Sequence, residues 1–77
     1  MQIDLVDVTI HIDETLDRAQ LDKIEDELRE LDGIVCVSRP DNRPHLMIVE
    51  YNPARLDNQA ILKQVTARGV HAELIGL

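Results

Sequence analysis

The chain opens with apolar residues at every second position. Between residues 3 and 12 they are Val6, Val8, Ile10 and Ile12. This alternation is typical of a strand with one buried face. It predicts that Leu5, Asp7, Thr9 and His11 point to the opposite face.

The next apolar residues follow a helical spacing, at Leu21, Ile24, Leu28 and Leu31. An apolar stripe of this kind predicts an amphipathic helix, with the carboxylates of the other faces in solvent. Asp17 and Gln20 form a D-x-x-Q capping box at its start. Gly33 is the expected stop signal.

The second half of the chain repeats this order of elements. Residues 34–39 and 45–51 are predicted strands, separated by a proline-rich turn over residues 39–44. Asp57 is the expected cap of a second helix, which ends at Gly69. Residues 70–77 supply the last predicted strand.

The predicted element order is therefore β-α-β-β-α-β within one domain, residues 1–77. Right-handed crossovers combine the two halves into a single antiparallel sheet, in the order 4-1-3-2. Both helices then cover one face, and the other face stays open. The fold class is α+β, a ferredoxin-like sandwich.

The net charge and the composition limit the classes of partner that the chain is expected to bind. The net charge is −7, which repels phosphate backbones and anionic lipid, so neither nucleic acid nor membrane is an expected partner. A basic protein surface or a cation would be attracted. Cys36 is the only cysteine, which excludes an internal disulfide, and no signal peptide or spanning helix is indicated, so the expected location is the cytoplasm.

A family resemblance covers nearly the whole chain. The segments 23–25, 49–53 and 61–69 resemble the heavy-metal-associated domain of metallochaperones and metal-pumping ATPases, as do the residues between the first two segments: Leu28, Leu31, Gly33, Ile34 and Val37. In that family two cysteine thiolates of a M-x-C-x-x-C loop hold a soft ion such as Cu(I). The matching positions here are Thr15, Asp17 and Gln20, and none carries sulfur. Soft metals select thiolate and thioether ligands, so Cu(I) binding in the family manner is not expected.

Histidines offer a different kind of metal site. The predicted sheet places His11, His45 and His71 at one edge, with His11 and His71 roughly opposite each other. Asp13, Glu14 and Glu73 are close by. Imidazoles with a carboxylate suit Zn(II), Ni(II) or Cu(II). The candidate cofactor is therefore a divalent transition metal such as Zn(II).

The main interpretation is a non-enzymatic interaction domain that acts through the open sheet face. Its predicted apolar patch consists of Leu5, Leu46, Ile48, Ile75 and Leu77. Homodimerisation or docking of a protein partner would cover the patch. Cys36 is either a small packing residue or an available thiol. Small-molecule binding at a dimer interface has no residue signature, and no catalytic motif suggests an enzyme.

Overall fold

The computed structural model describes residues 4–75, and Leu77 of the predicted apolar patch lies outside this range. The elements are β1 (Val6–Ile12), α1 (Arg18–Arg29), β2 (Ile34–Ser38), β3 (Leu46–Tyr51), α2 (Asn58–Thr66) and β4 (Ala72–Ile75). The four strands form one antiparallel sheet in the order β2-β3-β1-β4. This confirms the predicted α+β architecture and strand order. Within residues 4–75 no helix is long and apolar enough to cross a membrane.

The predicted capping box at the start of α1 is confirmed. Asp17 Oδ1 accepts a hydrogen bond from the Gln20 backbone N–H at 2.8 Å, and Gln20 Oε1 accepts one from the Asp17 backbone N–H at 3.0 Å. Asp57 caps α2 in a similar way, by accepting from the Ala60 N–H at 2.9 Å. The side-chain oxygens of Asp17 and Gln20 therefore accept hydrogen bonds from backbone N–H groups at the start of α1.

The core lies between the helices and the inward face of the sheet. Val8, Ile10 and Ile12 of β1 are 0–2% exposed, and α1 and α2 close over them with Ile24, Leu28, Ile61 and Val65. The prediction was wrong for Val6, which begins β1 and is 39% exposed. Tyr51 joins this cluster from β3 and is 6% exposed. From Val8 to Ile12 the predicted alternation is confirmed and separates the side chains that enter the core from those on the open face.

Gly33 was predicted to follow α1 directly as its C′ residue, but α1 ends at Arg29 with Glu30 as its C-cap, so that position of Gly33 was wrong. The conformation of Gly33 serves tertiary packing instead. Its φ of +107° lies in the left-handed region, which favours glycine. A Cβ at this position would lie 2.7 Å from Arg55 Cβ and would also collide with the Leu56 side chain. The close approach is held by a hydrogen bond from the Asn52 N–H to the Gly33 carbonyl at 2.8 Å. Any side chain here would push apart the two loops.

One part of the α1 prediction was wrong. Glu25 is not on a solvated face, because the residue is only 8% exposed. Its carboxylate accepts from Arg29 Nη2 at 2.7 Å and forms a second ion pair with Arg39, which follows β2. Arg39 Nη2 also lies 2.5 Å from Asp22 Oδ1. The cause is tertiary: β2 returns beside α1 and brings a guanidinium group to the helix.

Candidate metal centre

The strand register defines rows of side chains across the open face. His11 of β1 pairs with Leu46 of β3 on one side and with Glu73 of β4 on the other. The neighbouring row crosses all four strands and consists of Ser38, Ile48, Thr9 and Ile75. We call this second row the apolar row, because two isoleucines flank Thr9. A polar, ligand-bearing row thus lies directly beside an apolar one.

His11 gathers two carboxylates around one ring nitrogen. Its Nδ1 lies 3.2 Å from Asp13 Oδ1 and 3.9 Å from Glu73 Oε1. The three residues offer ligand atoms that all lie within 4.8 Å of one another. Two structural features bring them together. Asp13 follows His11 by two positions at the end of β1, and the antiparallel register places Glu73 opposite His11.

These separations are close to those of a coordination sphere. With metal–ligand distances of about 2.0–2.1 Å, neighbouring ligand atoms of a tetrahedral site lie about 3.3 Å apart. The distances of 3.2 and 3.9 Å lie on either side of that value, and all three ligand atoms lie within 4.8 Å of one another. The side chains of His11, Asp13 and Glu73 are 37%, 58% and 68% exposed, so small rotations are free to close the set. The three groups can hold a divalent cation at the surface of the sheet.

His45 contacts His11 but has a different role in the structure. Its Nδ1 lies 2.8 Å from the Ile12 carbonyl oxygen, which can only accept, so Nδ1 donates. The Ile12 N–H in turn donates to the His45 carbonyl at 2.8 Å. The two imidazole rings stack with centroids 5.8 Å apart and an interplanar angle of 22°. His45 is therefore held at the end of β1, where its ring supports that of His11.

His71 lies outside the group of three that surrounds His11 Nδ1. Its Nδ1 is 2.7 Å from Glu14 Oε2, and its backbone N–H donates to the same carboxylate at 2.9 and 3.1 Å. The hydrogen bond to Glu14 raises the pKa of His71 above its ordinary value. The hydrogen bonds from the side chain and backbone of His71 lower the pKa of Glu14.

The predicted pairing of His11 with His71 was therefore wrong. The register sets Glu73 opposite His11, and the His71 ring is directed to the Glu14 carboxylate in the loop after β1. Of the three candidate histidines, the structure brings His11 and His45 together. It adds Asp13 and Glu73, which the sequence offered only as nearby carboxylates. The sequence signal that could have identified Asp13 and Glu73 was the alternation of side chains along a strand. Asp13 is two positions after His11, and Glu73 is two positions after His71, so each pair is expected on one face of the sheet.

The positions that match the family's metal loop hold no comparable group. Thr15 is exposed in the loop between β1 and α1. Asp17 and Gln20 are engaged in the capping box. Their side-chain oxygens stabilise the first turn of α1, so these positions have a structural role.

The predicted apolar patch is only partly exposed. Leu5 and Ile75 are 40% and 37% exposed, and Leu46 and Ile48 are half-buried on the same face. A shallow depression of about 330 Å³ adjoins this region, lined by His11, Arg43, Pro44, His45, Leu46 and Ile75. Cys36 is exposed, opposite Glu50 on the open face, so it is not a packing residue.

Comparisons with known proteins support the fold. No known family profile matches the sequence, and no curated protein matches it significantly. The structure is similar to a copper binding domain from HMA7, a P-type ATPase, with a TM-score of 0.80, 16% identity and coverage of 91% of this chain and 93% of that one. The structure is also similar to that of oxidized MerP from Ralstonia metallidurans CH34, with a TM-score of 0.82, 14% identity and coverage of 95% of this chain and 100% of that one.

A third solved structure shows the same likeness. The N-terminal soluble domains of Bacillus subtilis CopA give a TM-score of 0.79 at 19% identity, with coverage of 92% of this chain and 48% of that one. At such identities the similarity concerns the fold. The chain therefore has the βαββαβ fold of the heavy-metal-associated domains.

Proposed function

We propose that this chain is a binding domain for a divalent transition metal, held by the His11 imidazole and the carboxylates of Asp13 and Glu73. The observation that carries the proposal is the geometry around His11 Nδ1, with two carboxylate oxygens at 3.2 and 3.9 Å. The copper binding domain of HMA7, which shares the fold, gives independent support for a metal-related role. The proposal is one of binding and not of catalysis.

The donor chemistry indicates which metals the site would take. One nitrogen and two carboxylate oxygens suit Zn(II), Ni(II), Co(II) and Cu(II), whereas Cu(I) selects sulfur. The negative charge of the chain adds a general attraction for cations. A metal ligand must present a free lone pair, so protons compete with the ion for the imidazole and the two carboxylates. Affinity is therefore expected to fall as the pH is lowered.

Calorimetric titration of the metal-free protein with Zn(II) tests this proposal. We expect a dissociation constant below about 100 μM, because weaker binding has little bearing on function. His11→Ala, Asp13→Asn and Glu73→Gln should each weaken binding by at least about tenfold, or 1.4 kcal/mol.

His71→Ala is the matched control, since it removes a histidine from the same edge of the sheet without touching the three ligands. Zn(II) binding should be unchanged in this variant. The proposal is wrong if the unaltered protein does not bind Zn(II), or if only His71→Ala abolishes binding.

A second candidate function is protein docking on the open sheet face, either of another copy or of a basic partner. The apolar row supports it, because Ile48, Thr9 and Ile75 lie side by side on a face that the helices leave uncovered. Carboxylates of Asp7 and Glu50 flank this row on one side. Such an apolar strip with a charged rim resembles the general anatomy of a protein interface.

A further inference from the structure

We propose that the metal site is shared: one divalent ion binds between two copies of this chain, packed open face to open face, with the two His11 side chains among its ligands. This inference rests on the proposed metal site and names its partner. In this arrangement the ligand-bearing row and the apolar row form one interface, and a second copy of the chain covers it.

The first argument is incomplete coordination. One chain offers three ligand atoms, from His11, Asp13 and Glu73. A Zn(II) ion takes four ligands in a closed structural site, and Ni(II) favours six. The side chains of His11, Asp13 and Glu73 are 37%, 58% and 68% exposed, and His11 lines a shallow depression that is open to solvent. Donors from outside can therefore reach the ion.

The second argument concerns symmetry. A twofold contact places the same surface of each copy against the other. An ion near the twofold axis then meets His11 and at least one carboxylate from each chain. Two imidazoles and two carboxylates form the four-coordinate N₂O₂ set that Zn(II) and Co(II) accept. With both carboxylates of each chain engaged, six ligands become available.

The third argument is charge. Among the described strand residues, the open-face positions carry Asp7, Glu50 and Glu73 but no lysine or arginine. Two such faces repel each other, and the net charge of −7 per chain adds to the repulsion. A divalent cation bound between the two faces attracts the carboxylates of both and so offsets their repulsion at the site. Association through this face is therefore expected to depend on the metal.

The fourth argument is the apolar surface next to the site. In a twofold contact centred near His11, the apolar row of one copy lies against the neighbourhood of the other copy's site. The depression beside His11 presents Pro44, Leu46 and Ile75 there. A chain of this length has a thin core, so burying this surface adds to its stability.

Native mass spectrometry with analytical ultracentrifugation, at several protein concentrations and Zn(II) ratios, tests the inference. We expect a monomer in chelator and a two-chain species with one Zn(II) after addition of the metal. The calorimetric inflection should fall at about 0.5 Zn(II) per chain, and the apparent affinity for Zn(II) should rise with protein concentration, as mass action requires for a shared ion. Co(II) should show the intense visible absorption of a four-coordinate site.

Two matched variants separate the shared site from a site in one chain. Ile75→Lys places a charge beside the site and should weaken the dimer by at least about tenfold while Zn(II) still binds one chain. Val35→Lys places the same charge on β2, the opposite edge strand, at a residue that is 54% exposed, and should leave the dimer unchanged.

Each other outcome overturns the inference in a recognisable way. One Zn(II) per monomer at every concentration leaves the metal site standing and excludes the shared ion. A dimer that persists in chelator, or one that Ile75→Lys does not weaken, also excludes it. No Zn(II) binding by the unaltered protein removes the proposed function and this inference together.

Discussion

Two charged clusters lie on opposite faces of the sheet, and they differ in how fully their carboxylates are paired with cationic side chains. On the helix side, the carboxylates of Asp22, Glu25 and Asp26 pair with the guanidinium groups of Arg29 and Arg39, and the Glu25 side chain is 10% exposed. On the open side, two carboxylates share the single imidazole of His11, and all three groups are partly exposed. We call these the balanced cluster and the open cluster.

The difference indicates what each cluster can do. A buried carboxylate requires partners, because an unpaired charge in the interior is costly. The balanced cluster supplies them, so its role is to connect α1 to the residues after β2. The open cluster has carboxylate oxygens without such partners and gains little stability from its contacts. Its donors remain available to a cation.

The largest expected effect concerns the open cluster when metal is added. At a free Zn(II) concentration of about 100 times the dissociation constant, ligand binding to the folded state should raise the free energy of unfolding by about 2.7 kcal/mol. Asp13→Asn and Glu73→Gln should lose this increase, while His71→Ala keeps it. Thermal unfolding with and without Zn(II) measures the difference, and equal shifts in all variants would contradict the assignment.

The next effect concerns the balanced cluster. Arg39→Met keeps an apolar stem but leaves the Glu25 carboxylate with Arg29 alone. We expect the free energy of unfolding to fall by about 2 kcal/mol, because a mostly buried charge loses one of its partners. Urea unfolding measures the change.

Arg55→Met is the control for this prediction. Arg55 pairs with Asp32 at 3.6 Å, and the two side chains are 63% and 82% exposed. Loss of an exposed pair should change the free energy of unfolding by less than about 0.5 kcal/mol. Similar losses in Arg39→Met and Arg55→Met would show that the burial of Glu25 has no energetic consequence.

A smaller effect is expected at the positions that match the family's metal loop. Asp17→Ala removes the acceptor for the Gln20 N–H and should lower the free energy of unfolding by about 1 kcal/mol. Zn(II) affinity should be unchanged, because Asp17 is not part of the open cluster. Asp41→Ala, at an exposed turn residue, is the control. Unchanged unfolding with weakened Zn(II) binding would reverse the capping assignment.

The smallest effect is the pH dependence of the contact between His71 and Glu14. The folded-state pKa of His71 is raised, so its contribution to stability is lost as the pH rises through that value. The folded-state pKa of Glu14 is lowered, so its contribution is lost as the pH falls through it. The contact is therefore fully effective between the ordinary values of 4.5 and 6.5.

NMR titration of His71 in chelator measures this contact directly. In Glu14→Gln the pKa of His71 should move down toward its ordinary value, because the carboxylate that favours the charged ring is gone. Glu30→Gln, on the exposed end of α1, should leave it unchanged. A pKa of His71 that is the same in both variants would exclude Glu14 as the cause.

Local patterns along the chain were sufficient for the fold. The alternation in β1 identified its buried face, and the D-x-x-Q sequence identified the start of α1, because both depend on neighbours within a few residues. The open cluster was only partly predictable. His11 was identified as a candidate, but the choice of Glu73 over His71 as its neighbour depends on a register shift of two residues between β1 and β4.

The sequence by itself therefore determined the element order, the sheet topology and the absence of sulfur ligands at Thr15, Asp17 and Gln20. These follow from hydrophobic period, capping chemistry and residue identity, all of which are local. Only the tertiary structure decided that Glu25 is buried beside Arg39 and that Asp13 and Glu73 converge on His11. Those results depend on contacts between segments far apart in the chain, and the rotation and register that bring such segments together are not encoded in the spacing of either segment alone.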